Sequence, residues 1–118
     1  MHRLLRASIV AALTLSAFAR ADEDVAALWK SKCKNCHGVD GKGDTKEGKK
    51  LKLEDMSTDK WQTEWTDQKI KDIVTNGKKD KNGEWTKMKP FGPEAPKDKQ
   101  LSDAQIEALT KHIRTFKK

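Results

Sequence analysis

Hydrophobic positions are sparse along this 118-residue chain, and most recur at helical spacing. The clearest run is the last. Ile106, Leu109, Ile113 and Phe116 form a stripe at steps of three and four, Leu101 pairs with Ile106 as a hydrophobic staple, and Ser102 with Gln105 makes a capping box. A second helix is predicted from Thr66 as N-cap, with Ile70, Ile73 and Val74 on one face and Asn76-Gly77 as the stop. A third is predicted over Asp22 to Lys32. There the acids Asp22, Glu23 and Asp24 suit the positive end of the helix dipole, and Val25, Leu28 and Trp29 fall at i, i+3 and i+4. Between these helices the pattern weakens. Trp61 and Trp65 sit four apart, a helical spacing, whereas Lys46 to Lys60 offers only Leu51, Leu53 and Met56 and predicts turns or a short helix. Gly38 to Thr45 is a glycine-dense loop, and Lys78 to Lys87 is a basic loop that runs into Met88-Lys89-Pro90-Phe91-Gly92-Pro93.

The first residues follow a different logic. Met1 to Arg6 is basic, Ala7 to Phe18 is an apolar run, and Ala19-Arg20-Ala21 has the A-x-A form of a cleavage signal. The run is shorter than the ~20 residues a membrane span needs, and no second one follows. Residues 1–21 therefore read as a cleaved secretory signal peptide, and residues 22–118 as one exported soluble domain. Removing residues 1–21 from 118 leaves 97, and it lowers the printed +7 to a balance of +4, because 22 Lys and Arg then face 18 acids. With 36% of the chain charged, few side chains remain for a core, and a domain this small calls for a staple. Lysine blocks such as Lys78-Lys79-Asp80-Lys81 are interspersed with acids. They suit a solvated surface or one that steers an acidic partner, and no motif points to nucleic acid.

Both cysteines fall in Lys32-Cys33-Lys34-Asn35-Cys36-His37-Gly38, and C-x-x-C-H is the attachment pattern of c-type haem. Residues three apart on a helical turn face one way, so Cys33 and Cys36 are placed to form thioethers with one porphyrin, and the His37 imidazole is placed to reach its iron. Three rivals are weaker. A thioredoxin-like dithiol wants a preceding strand; a structural zinc site wants four ligands, where the exported chain adds only His112 to these three; a disulfide between residues three apart closes too small a loop to stabilise much. For a sixth iron ligand Met88 leads, since its thioether offers a soft lone pair and the proline-flanked loop can hold it. Met56, His112, a lysine or an open position stand as alternatives. Trp61 or Trp65 is a candidate to pack on the porphyrin and donate to a propionate, with a purely core role as the competing reading.

These residues resemble the bacterial class I c-type cytochromes, small single-haem electron carriers of the periplasm. The resemblance is carried by Leu28-Trp29 ahead of Cys33, by Cys33 to Gly38 and the Gly-Lys-Gly-Asp-Thr loop, by Met88 to Gly92 and by Leu101 to Phe116. It implies an all-α fold in which the N- and C-terminal helices cross, with His112 where relatives often place an aromatic ring. It also implies one covalent haem c held by Cys33 and Cys36, with His37 as proximal and Met88 as distal ligand. The chain departs from the pattern in having no proline between His37 and Trp61, where relatives often supply a carbonyl to the proximal imidazole, so that no partner for the His37 ring is assigned. The function implied is electron carriage between redox protein partners by a monomer, without substrate chemistry. A haem peroxidase or a ligand sensor would need an open iron position instead.

Overall fold

The computed structural model describes residues 17–118, and side chains from Val25 onward. The cleaved-signal expectation therefore falls mostly outside the described residues. Six α-helices follow in order: α1 (Ala17–Lys32), α2 (Lys34–His37), α3 (Lys46–Leu51), α4 (Asp59–Glu64), α5 (Asp67–Asn76) and α6 (Asp103–Arg114), with a short 3-10 turn at Lys97–Lys99. Among the described residues the only β pairing is an isolated antiparallel bridge between Lys79 and Trp85. The all-α expectation holds.

Local chemistry sets most helix starts. Thr45, Thr58, Thr66 and Ser102 each take extended backbone, and each hydroxyl accepts from the amide three residues on. At α6 the capping box closes in both directions, with Gln105 Oε1 accepting from the Ser102 amide at 2.8 Å. One boundary differs from expectation. The acids Asp22 to Asp24 do not form the first turn of α1, because the helix already includes Ala17–Ala21, a segment of good helix formers with no breaker. Cleavage after Ala21 would return those acids to the helix start.

The core lies where α6 meets α1 on one side and α5 on the other. Val25 and Trp29 of α1, Trp61 of α4, Ile70 and Val74 of α5 and Ile106, Leu109 and Ile113 of α6 form one buried cluster that also takes in Met56. Trp29 is packed edge-on to Phe116 at 5.0 Å between centroids and tilted against His112 at 5.6 Å, so His112 belongs to the α1–α6 contact. In the same last turn of α6, Arg114 donates to the Gln62 carbonyl (2.9 Å), the Trp65 carbonyl (2.6 Å) and Asp67 Oδ1 (2.9 Å), which ties α6 to the α4–α5 junction.

The segment after α5 folds back along it. The Lys78 amide donates to the Met88 carbonyl at 2.7 Å, and the Phe91 and Gly92 amides donate to Val74 and Thr75 at 3.0 and 2.9 Å. This close approach depends on Gly77, which has φ 67° and where a Cβ would meet Pro90 N at 2.6 Å. The Met88 loop is thereby fixed to the end of a buried helix.

Candidate functional site

A cavity of about 800 Å³ opens between these elements, within the roughly 300–1,000 Å³ usual for cofactor and small-molecule sites. Its wall is largely apolar. Cys33, His37 and Met88 all line it, from the end of α1, from α2 and from the loop after α5, and Trp29, Met56 and Trp61 line it with them. Two segments far apart in sequence, the Cys33–His37 turn and the Met88 loop, thus bring the sequence-predicted donors to one space. Cys36, one turn beyond Cys33, is half-buried on α2 and is not part of the wall. His112 is not part of the wall either, whereas Met56 does share it.

The motif follows directly from α1. The Cys33 amide donates to the Trp29 carbonyl at 2.8 Å, extending the helix, and the His37 amide donates back to the Cys33 carbonyl at 3.0 Å. α3 presses against this turn through Gly48, where a Cβ would meet the Gly43 carbonyl oxygen and lie 2.6 Å from the Cys36 carbonyl oxygen. Thr45 joins the two, because its hydroxyl donates to the Cys36 carbonyl at 2.7 Å and accepts from the Gly48 amide at 2.8 Å.

Burial sets the protonation of these groups. The Cys33 thiol is pushed up to about 12, first by burial and then by the neighbouring Cys36. An attacking redox thiol would need the opposite shift. Neither cysteine is in a disulfide, and among the described residues no three His, Cys, Asp or Glu side chains converge as a metal cluster. Burial also holds the His37 imidazole below its ordinary pKa, and therefore neutral with a lone pair to offer a metal. Its Nδ1 is buried without a hydrogen-bond partner, which leaves Nε2 as the nitrogen for the cavity. A neutral imidazole and a thioether in one apolar cavity, with a thiol in its wall, are a donor set that fits a thioether-bound haem.

In the sequence Trp29 is legible only as part of the apolar face of the first helix. It is 3% exposed, but it also lines the cavity, and its indole N–H donates to the Gly38 carbonyl at 2.9 Å. Thr45 and Gly48 were similarly concealed inside polar, glycine-bearing sequence with no period. Trp61 and Trp65 both line the cavity and stack with centroids 5.6 Å apart and planes 14° off parallel, so the core and cavity roles coincide.

The sequence matches the Cytochrome c family, described as cytochrome c, over residues 23–117. It is similar to the solved structure of the KustC0563 c-type cytochrome, with 31% identity over 79% of this chain and 96% of that chain and a TM-score of 0.62. No curated protein matches. With the match spanning nearly all of the described chain and the predicted donors gathered in one cavity, the chain belongs to the cytochrome c family, whose members carry covalently bound haem and transfer electrons.

Proposed function

We propose that this protein is a monohaem electron carrier of the periplasm, exported by removal of residues 1–21, in which Cys33 and Cys36 hold one haem c by thioethers and His37 and Met88 ligate its iron. The observation that carries this reading is the shared apolar cavity lined by Cys33, His37 and Met88. When bound, the haem supplies reversible one-electron exchange between ferrous and ferric iron. The chain supplies the rest. The buried neutral imidazole of His37 and the thioether of Met88 are both uncharged donors, and Met88 stands on a loop bonded to α5, so a donor of this kind would be held in place rather than free to leave. Trp61, buried at the wall, would offer its indole N–H to a propionate. Among the described residues no helix is long and apolar enough to cross a membrane. The lysine excess on the surface suits redox partners with an acidic docking face met by a monomer.

The test is made on exported protein. Extraction with acidified acetone should leave one haem per chain attached, and voltammetry should give a single reversible one-electron wave without catalytic current on adding peroxide. Extractable haem, or a catalytic peroxide wave, contradicts the carrier reading.

A further inference from the structure

The three successive carbonyls of the motif each accept a hydrogen bond from a different part of the chain. Thr45 Oγ1 donates to Cys36 at 2.7 Å, the Gly43 amide to His37 at 2.8 Å, and Trp29 Nε1 to Gly38 at 2.9 Å. The histidine between them is secured by its peptide. Its ring is not secured in the same way, because Nδ1 is shielded from solvent and, among the described residues, meets no acceptor. A metal-bound histidine ordinarily donates its second N–H to a carboxylate or carbonyl, which fixes the ring plane and makes the imidazole a stronger donor. The Trp29 ring packs beside it, tilted at 42° with its centroid 5.9 Å from that of His37. Trp29 is in turn braced by Phe116 and His112, and Thr45 by the amide of Gly48.

We infer that Trp29 and Thr45 are the positioning residues of His37: they fix the peptide that carries the imidazole, in place of an acceptor on Nδ1, and so leave the ring a weaker electron donor to iron. This rests on the reading of His37 as an iron ligand. A weaker donor stabilises ferric iron less, so the reduction potential lies higher than it would with Nδ1 partnered. The two residues act on the iron only through His37.

The experiment uses the ferric holoprotein, comparing wild type with Trp29→Phe, which keeps an aromatic ring but removes the N–H donor, with Thr45→Val, which removes the hydroxyl, and with Thr45→Ser, which restores it. The readouts are the spread of the haem-methyl proton resonances, which follows the plane of the imidazole, and the nitrogen-15 shift of His37 Nδ1 in wild type. The inference expects a changed methyl pattern in Trp29→Phe and Thr45→Val, recovery in Thr45→Ser, and an Nδ1 shift typical of an N–H without a strong acceptor. An unchanged methyl pattern in both variants, accompanied only by lower melting temperatures, overturns it, and so does an Nδ1 shift typical of a strongly hydrogen-bonded N–H. Where a variant does not fold, the wild-type Nδ1 shift decides alone. Wild-type protein without an imidazole-ligated ferric signature would instead contradict the ligand reading itself, and the two failures are told apart by that signature.

Discussion

Single atoms decide several features of this protein. Gly48 stands inside a helix, where alanine would be favoured by about 1 kcal/mol on propensity alone. Its Cβ would nevertheless meet backbone oxygen at Gly43 and at Cys36, and backbone cannot rotate away as a side chain can. Gly48→Ala is therefore predicted to destabilise the holoprotein by more than it gains, by about 1–3 kcal/mol net, measurable as a lowered denaturant midpoint. His112 gives a pH dependence whose sign follows from burial, which lowers its pKa in the fold below 6.5. As pH falls the unfolded chain takes up this proton first, so the stability His112 contributes is intact above pH 6.5 and is lost as pH falls through its folded value. The melting temperature of the holoprotein should fall between pH 7 and 5, and the slope should flatten in His112→Phe, which preserves packing against Trp29. A slope unchanged by that substitution would exclude His112 as its source. At this scale the sequence was legible where chemistry is written in a short motif. Cys33, Cys36 and His37 are identified by spacing, whereas the Trp29 N–H reaches a carbonyl nine positions away and has no pattern that announces it.

Helices carried their own signals at their starts. Hydroxyl caps at Thr66 and Ser102 and the stripe on α6 were readable because cap and helix are neighbours in sequence. Ser102→Ala should cost about 1 kcal/mol by losing the amide partner of Gln105. Leu109→Ala should cost about 2–5 kcal/mol, since Leu109 is 1% exposed at the meeting of α6 with α1 and α5. Thermal or denaturant unfolding of the holoprotein reads both values, and near-equal costs would contradict α6 as the central element. What stayed hidden were ties between elements. Arg114 bonds to groups 47 to 52 positions back, and a lone arginine near a helix end reads only as a favourable charge at the dipole. The start of α1 was misplaced for a related reason, since acids mark a helix start only when what precedes them does not also favour a helix.

The whole molecule is small, highly charged and arranged around an apolar cavity. Core residues such as Trp29, Met56 and Trp61 are also its walls, so the interior is complete only with an apolar body inside. The chain without covalent haem, as in Cys33→Ala with Cys36→Ala, is predicted to lose its cooperative unfolding transition, and a sharp transition in that variant would show that the helices suffice alone. The need for such a staple was legible in the composition. The way the Cys33–His37 turn and the distant Met88 loop come to share one space was not, because it depends on the folding back of the Met88 loop along α5. Met88 and Met56 share that space, and the central claim is that Met88 is the iron ligand. The most direct measurement is the far-red spectrum of the ferric holoprotein, where a thioether on iron gives a charge-transfer band. The account predicts this band in wild type and in Met56→Leu and its loss in Met88→Ala; a wild type without it, or a band that survives Met88→Ala and disappears in Met56→Leu, would contradict the account.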